Sequence, residues 1–270
     1  MNAKFFLRDG RKMKLTPAGV IFLEEGKKIL TLYSNMCHRI SDVKCDSPHN
    51  LHIGISQFYG RFYLPYIMSK FSEQNPNVNF SIIEGYSCDL ENMLLAGKLD
   101  VCLLPIYIVN DNLNYDILHQ DEILLAIPPD SPLNSLASKG KMGKFINLIQ
   151  LRSEPFIFLS QVQGFYQKSL SLCQENGFIP DIKCEVANWD TLNMLVREGV
   201  GVGFVNNLTS RSSKLVPSPS YYRIYPNKKV LRAYALVTRK QSSPPDIIEE
   251  FRDFVISAAA EGNIPNINYR

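Results

Sequence analysis

Hydrophobic and polar residues alternate along most of the chain in a pattern that predicts strands separated by helices. Residues 51–55 and 155–159 form short apolar runs, and each run is followed by a stretch whose apolar residues lie three to four positions apart. Short apolar runs are typical of buried strands, and the wider spacing is typical of helices that cover one face of a sheet. Strands that alternate with helices predict βαβ units, and therefore an α/β fold with parallel sheets.

The predicted strands and helices occur in two similar copies, offset by 101–104 residues. Each copy has a serine and a glutamine after its first strand, an Asn-Met-Leu tripeptide in its second helix, and a glycine where that helix ends. These landmarks are Ser56, Gln57, Asn92 and Gly97 in the first copy and Ser160, Gln161, Asn193 and Gly199 in the second. Matching landmarks in one order indicate a duplicated α/β lobe, so we expect two lobes with a ligand-binding cleft between them.

Polar residues at the predicted strand ends are the candidate binding residues. Ligands of α/β proteins bind beyond the carboxyl ends of parallel strands, and a hydroxyl beside the free N–H groups of a helix start suits a carboxylate or another small anion. The candidate effector-binding residues are Ser56, Gln57, Ser160, Gln161, Ser87, Asn188 and Thr191. The alternative is that the serines, the asparagine and the threonine only cap their helices.

A long helix is predicted ahead of the first lobe, from Pro17 to about residue 44. Thr16 is a capping residue, and proline suits the first helical position. Apolar residues then recur at alternating steps of four and three, which is the heptad pattern of a helix that packs against a second helix. The stripe consists of Phe22, Ile29, Tyr33, Met36, Ile40 and Val43. We expect this helix to form a homodimer or homotetramer, and the alternative is that it covers its own domain.

The positive charge of the chain is concentrated at its amino-terminal end. The formal net charge is +3, but residues 1–14 hold five lysine and arginine residues against one aspartate. Asp9 and Gly10 are a turn signal, so this segment is predicted to be a hairpin that docks its apolar side chains on a neighbour and turns its cations outward. The cations that would contact DNA phosphates are Lys4, Arg8, Arg11, Lys12 and Lys14. The alternative is a solvated basic tail.

Several classes of function lack their sequence signals. None of the six cysteines forms a Cys-x-x-Cys pair, and the chain has only four histidines, so no metal site is predicted. The motifs of nucleophile elbows, phosphate-binding loops and dinucleotide folds are missing, so we expect no cofactor and no catalysis. No apolar run is long enough for a membrane span and no secretory signal is recognised, which favours the cytoplasm.

An ordered set of short motifs resembles the LysR-type transcriptional regulators. Residues 5–19 (FFLRDGRKMKLTPAG) and 23–26 (LEEG) resemble the wing and the start of the linker helix of that family. The motifs that resemble its effector domain are Ile53-Gly54-Ile55-Ser56, Leu64-Pro65, Phe71, Asn75-Pro76 and residues 97–101, 128–133 and 196–201. The resemblance covers essentially all 270 residues.

This resemblance implies a wing remnant, a long linker helix and a two-lobed α/β effector domain like the type 2 periplasmic binding proteins. The implied segments are the wing at 1–16, the dimerisation helix at 17–46, lobe I at 51–124 plus 230–270, and lobe II at 125–229. In this family the residues that correspond to Ser56, Gln57 and Ser160 contact the small-molecule inducer.

The resemblance departs from the family at the amino-terminal end. Family members carry three helices before the wing, whereas Met1 lies only three residues before Lys4. We therefore expect a chain that lacks most of the helix-turn-helix and binds DNA weakly and without sequence preference.

Two functions from different classes fit these patterns. The first is a LysR-type regulator whose effector domain senses a small anionic metabolite and controls transcription through DNA binding. The alternative is a cytoplasmic small-molecule (solute) binding protein without DNA-binding activity. A two-lobed enzyme is less favoured because the sequence offers no acid–base pair.

Overall fold

The computed structural model describes residues 3–9, 12–42, 49–240 and 245–265. The chain begins with a hairpin of β1 (Phe6–Asp9) and β2 (Lys12–Leu15) and continues into the long helix α1 (Pro17–Asp42). Thr16 caps this helix as predicted, because its hydroxyl accepts a hydrogen bond of 2.9 Å from the N–H of Gly19. None of the described helices is both long enough and apolar enough to cross a bilayer.

Within the described residues, the hairpin contacts α1 near the start of the helix. The Thr16 hydroxyl donates to the backbone oxygen of Lys4 at 2.7 Å, and the rings of Phe5 and Phe22 stack with centroids 4.4 Å apart. A Cβ on Gly19 would lie 2.0 Å from the backbone oxygen of Phe5, so only glycine permits this approach. These contacts leave four apolar side chains of the strands exposed in the single chain, so their docking on a neighbour stays a prediction. The exposed side chains are Phe6, Leu7, Met13 and Leu15.

The first α/β unit starts at residue 49. It consists of β3 (His49–Ser56), α2 (Gln57–Gln74), β4 (Val78–Gly85), α3 (Ser87–Leu95) and β5 (Val101–Pro105). Strand β3 pairs in parallel with both β4 and β5. The chain leaves α3 through Gly97, whose φ of 71° lies in the left-handed region that glycine adopts without a steric penalty.

A long strand and a short hairpin lead to the second unit. They are β6 (Leu113–Ile127), β7 (Ser138–Gly140) and β8 (Gly143–Phe145). The second unit then comprises β9 (Pro155–Leu159), α4 (Gly164–Glu175), β10 (Asp181–Val186), α5 (Trp189–Arg197) and β11 (Val202–Asn206). Strand β9 pairs in parallel with β10 and β11, as β3 does with β4 and β5, so the predicted duplication is confirmed.

The chain ends by returning to the first unit. The last described elements are α6 (Asn207–Ser212), β12 (Ser220–Tyr222), β13 (Leu231–Arg239) and α7 (Asp246–Ala260). All strands from β3 onward, except β7 and β8, share one sheet with the order β10-β9-β11-β6-β13-β5-β3-β4, and β12 pairs with β6. Strand β6 serves both halves, because residues 113–122 pair with β13 and residues 123–126 pair with β11.

The two halves have separate hydrophobic cores. Lobe II, the half that contains β9–β11, is built around Phe156, Phe158 and Phe204. Lobe I, the half that contains β3–β5, β13 and α7, has one cluster with Phe71 and Phe251 and another beneath α3. Two cores joined through β6 and β13 give the chain two lobes.

Candidate functional site

A cleft of about 530 Å³ lies between the two lobes. Its wall includes five residues at strand ends: Ser56 ends β3 and Gln57 follows it, and Ser87, Gln161 and Asn188 lie two positions beyond β4, β9 and β10. The carboxyl ends of parallel strands are the usual ligand-binding edge of α/β sheets, and pockets of about 300–1,000 Å³ accept small molecules. The structure therefore brings five of the seven predicted effector-binding residues into one cavity.

Ser56 does not cap the helix that follows it. Its side chain makes no capping hydrogen bond to α2, and its hydroxyl lies 3.4 Å from the hydroxyl of Tyr234 on β13. Tyr234 in turn donates to the backbone oxygen of Leu103 at 2.8 Å. The capping alternative is therefore wrong for Ser56, whose hydroxyl is oriented by the neighbouring strand.

The equivalent position in lobe II has a different local structure. Ser160 follows β9, but α4 begins only at Gly164, so the expectation that a helix starts at Ser160 is wrong. A turn intervenes because the backbone N–H of Gln163 donates to the backbone oxygen of Ser160 at 2.9 Å and its side-chain amide donates to Ser160 Oγ at 3.2 Å. Among the described residues, Gln161 and Gln163 line the cleft and Ser160 does not.

The second helices of the two lobes begin differently at the cleft. Asn188 caps α5, because its side-chain oxygen accepts the N–H of Thr191 at 2.8 Å. Thr191 is not part of the described cleft wall, whereas Asn188 both caps α5 and lines the cleft. Ser87 is the first residue of α3, and the N-cap residue Tyr86 makes no side-chain capping bond.

A buried arginine that the sequence analysis missed lies in the cleft wall. Arg232 on β13 is 5% exposed. Its Nη1 donates to the hydroxyl of Tyr107 at 2.6 Å, and its Nη2 donates to Asp121 at 2.9 Å and to the hydroxyl of Tyr59. Its Nε is buried and has no hydrogen-bond partner. The guanidinium lies 5.3–5.9 Å from the ring centroids of Tyr59, Tyr107, Phe165 and Trp189.

A chain of buried polar groups continues from Arg232 into lobe I. Asp121 lies 3.3 Å from Nε2 of His119, and Nδ1 of His119 lies 2.6 Å from the hydroxyl of Tyr63. Burial lowers the pKa of His119 to about 4, with a further contribution from the charge of Arg232. Burial also raises the pKa of Asp121, although Arg232 opposes this shift. At neutral pH the histidine is therefore uncharged.

Arginine 232 remains charged despite its burial. Burial alone would lower its pKa, but the interactions with Tyr107 and Asp121 outweigh that effect and raise the pKa above its usual value. The cleft wall therefore contains a permanent buried cation.

The lobes also contact each other across the cleft. Arg61 of α2 forms a two-bond ion pair with Asp190 of α5, with nitrogen–oxygen distances of 2.9 and 3.3 Å. Both side chains are more than a third exposed, so the pair contributes little to stability. Nearby, a Cβ on Gly164 would lie 2.4 Å from the ring of Tyr107. The amino-terminal end of α4 therefore rests directly on the tyrosine that binds Arg232.

The predicted DNA-contacting residues lie on the hairpin. Lys4, Arg8 and Lys14 are exposed, and the strand register places Arg8 and Lys14 on opposite faces. Arg11 lies outside the described residues, as does the side chain of Lys12.

The predicted dimerisation stripe lies on α1. Phe22, Ile29, Tyr33 and Met36 are each at least 49% exposed in the single chain. The side chain of Ile40 and all of Val43 fall outside the described residues.

The described residues contain no group of three or more His, Cys, Asp and Glu side chains arranged to hold a metal ion.

Known proteins share this architecture. Residues 47–260 match the family model of the LysR substrate binding domain. YcgK, an uncharacterized HTH-type transcriptional regulator of Bacillus subtilis strain 168, is 27% identical over 222 residues, which are 78% of this chain and 68% of YcgK. The effector binding domain of QuiR in complex with shikimate has a TM-score of 0.67 at 20% identity, and the match covers 80% of this chain and 99% of that one. Full-length CbnR complexed with its target DNA has a TM-score of 0.59 at 20% identity, and the match covers 95% of this chain and 84% of that one. The predicted two-lobed α/β fold is confirmed.

Proposed function

The chain belongs to the LysR family of transcriptional regulators, and from this premise we propose that its cleft binds a small anionic metabolite that controls transcription through DNA binding. The relatives reported above are regulators, and no observation favours the alternative of a solute-binding protein that never contacts DNA. The proposal includes no catalytic step. The proposal also assigns the chain to the cytoplasm, because a regulator of transcription acts where the DNA is.

The observation that carries the anionic class is the buried arginine in the cleft wall. Removing a guanidinium from water is costly, so buried arginines occur where hydrogen bonds and opposite charge compensate them. Of the five N–H donors of Arg232, three are used by Tyr107, Tyr59 and Asp121, and Nε has no partner. An incoming carboxylate would meet a permanent positive charge held in place by tyrosine hydroxyls.

The amino-terminal ends of three helices add positive potential to the cleft. Helices α2, α3 and α4 all begin at the cleft, and none of their N-cap residues makes a side-chain capping bond. The first N–H groups of a helix carry partial positive charge and suit an anion. The two acidic residues of the wall, Glu91 and Asp190, oppose this positive charge only weakly. Asp190 is paired with Arg61, and burial raises the pKa of Glu91.

The remaining residues of the wall indicate which other chemical groups the ligand contains. Phe58, Tyr107 and Trp189 offer flat apolar surfaces. Side-chain amides can hydrogen-bond to hydroxyl or carbonyl groups, and they belong to Gln57, Gln161, Gln163, Gln167 and Asn188. We therefore propose a ligand with one anionic group, an apolar body and further polar substituents.

Effector binding would act on the geometry of an oligomer. A ligand that contacts both lobes stabilises the closed arrangement in proportion to its differential affinity for that arrangement. The exposed stripe of Phe22, Ile29, Tyr33 and Met36 on α1 would pack against a second copy. Lys4, Arg8 and Lys14 on the hairpin would contact DNA phosphates, and their spacing would follow the oligomer.

The test is calorimetric titration with a panel of small carboxylates, including shikimate, and their uncharged methyl esters. We expect at least one carboxylate to bind the wild-type chain and its ester to bind at least 10-fold more weakly. Arg232→Gln should abolish this preference, Arg232→Lys should retain part of it, and Ser56→Ala should weaken binding without unfolding the protein.

The matched control is Arg223→Gln. Arg223 also forms an ion pair, with Glu122 at 2.6 Å, but it lies outside the described cleft wall. Equal losses in Arg232→Gln and Arg223→Gln, or an ester that binds as tightly as its acid, would contradict the proposal.

A further inference from the structure

A dense group of lysines lies on lobe II, away from the cleft wall. Three of them, Lys139, Lys141 and Lys144, belong to the β7–β8 hairpin, and Lys228 and Lys229 belong to the loop before β13. All five are exposed. We call these five residues the lysine patch.

The two segments of the lysine patch are held together by the backbone. Phe145 bridges to Arg223, whose backbone N–H donates to the oxygen of Lys144 at 3.2 Å. The N–H of Ile146, a fully buried residue, donates to the oxygen of Arg223 at 2.9 Å. A Cβ on Gly140 would lie 2.6 Å from the backbone oxygen of Pro226, so the hairpin lies directly against the loop.

The sequence around the lysine patch contains no acid to balance it. No aspartate or glutamate occurs at positions 131–153, and none occurs at positions 199–245. Glu122, the acid that contacts Arg223, is buried and bound to Arg223 through both of its oxygens. The patch therefore carries five positive charges on a chain whose net charge is +3.

This arrangement works against the stability of the hairpin. Lys139 and Lys144 are direct cross-strand partners, so their side chains project from the same face. Like charges in directly opposite positions destabilise a strand pair by up to about 1 kcal/mol. If folding stability alone determined this sequence, an acidic residue in place of Lys139 or Lys144 would be favoured, because it would stabilise the strand pair.

We propose that the lysine patch is a second binding surface for the DNA backbone, used by this regulator in addition to its amino-terminal hairpin. The inference rests on the proposed function, because it requires a chain that works on DNA. Lysine is a mobile point charge that suits phosphates, whereas protein interfaces are depleted in lysine and enriched in aromatic residues and arginine. Met142 at the turn is the one large apolar side chain of the hairpin tip. The composition therefore favours a phosphate backbone over an acidic protein.

The test is fluorescence anisotropy of the full chain with a labelled 30-base-pair duplex of arbitrary sequence, titrated across a salt series. Each lysine–phosphate contact contributes about −0.9 to the slope of log K against log salt. Substituting glutamine at Lys139, Lys141 and Lys144 together should reduce the magnitude of that slope by about 2 to 3. The melting temperature of this triple variant should not fall, because the repulsion between Lys139 and Lys144 is removed.

The matched control removes the same charge elsewhere. Lys98, Lys183 and Lys214 are exposed lysines outside the patch, and glutamine at these three positions should change the slope by less than 1. A third variant, with glutamine at Lys4, Arg8 and Lys14, reports on the amino-terminal hairpin.

Equal slope changes in the patch variant and the control would overturn the inference, and so would a patch that prefers polyglutamate to duplex DNA. A loss confined to the amino-terminal variant would overturn the inference and leave the proposed function intact. If neither that variant nor the patch variant changes the slope, DNA binding in the proposed function fails as well.

Discussion

Replacing Arg232 with methionine should destabilise the protein by about 3–5 kcal/mol at neutral pH, the usual loss when one partner of a buried ion pair is removed. Methionine fills much of the volume of the arginine stem, so the loss is not mainly one of packing. It arises because Asp121, which is 2% exposed, keeps its charge and loses its cation. The hydroxyls of Tyr59 and Tyr107 lose a donor at the same time.

The loss should shrink as the pH falls. Burial already raises the pKa of Asp121, and removing Arg232 raises it further because that cation opposed the shift. A carboxyl with a higher pKa in the folded state than in the unfolded state binds more protons when folded, so the variant gains stability relative to the wild type at lower pH. His119 acts in the same direction, because the charge of Arg232 contributes to its lowered pKa.

The assay is urea denaturation at pH 7.5 and pH 5, monitored by circular dichroism. Tryptophan fluorescence is not used because the single tryptophan, Trp189, lies beside the mutated site. Arg232→Met with Asp121→Leu should recover most of the lost stability, since no buried charge is left unpaired. Arg223→Met, which breaks a more exposed pair, should cost less. A loss for Arg232→Met below about 1 kcal/mol, or one that does not depend on pH, would refute the reasoning.

Three further predictions concern other parts of the molecule. His119 should contribute a loss of about 2 kcal/mol of wild-type stability between pH 7 and pH 4.5 in urea titrations, because its pKa lies near 4 when folded and about 6.5 when unfolded; His119→Gln should remove this contribution, and an unchanged pH dependence in that variant would contradict the assignment. Gly164→Ala should cost about 1–3 kcal/mol in the same assay through overlap with Tyr107, whereas Gly85→Ala, whose Cβ would meet its nearest neighbour at an ordinary 3.6 Å, should cost less. Ile29→Glu on α1 should shift the protein towards the monomer in light scattering, and an unchanged mass would argue against the stripe as an interface.

The fold was predictable because its signals are local and repeated. Two kinds of landmark recur in one order: the Ser-Gln pairs at the ends of β3 and β9, and the glycines that end α3 and α5. Each marks the end of a strand or helix, which a short stretch of sequence determines. The cap at Thr16 is of the same kind. These local signals therefore sufficed to predict the strands and helices of the two repeated units and their duplication.

The candidate site was only partly predictable because its central residue comes from a distant part of the chain. Arg232 lies 176 positions after Ser56, and only the antiparallel return of β13 brings it to the cleft. A local signal existed, since Arg232 alternates with Tyr234 and Leu236 and therefore shares their buried face. The mistaken helix start at Ser160 has a different cause, because the preference of Gln163 for a turn depends on its contacts with Ser160 and Ala187.

The uninterrupted course of β6 restricts how the molecule can respond to a bound effector. The residues of β6 up to Glu122 pair with β13 and those from Ile123 pair with β11, so one strand carries both ladders. A wide hinge opening would rupture backbone hydrogen bonds at this point, whereas torsion of the sheet would preserve them. We expect ligand-free and ligand-bound forms to differ by a small rotation about the strand axis, so spectroscopic labels should be chosen to measure angle rather than distance.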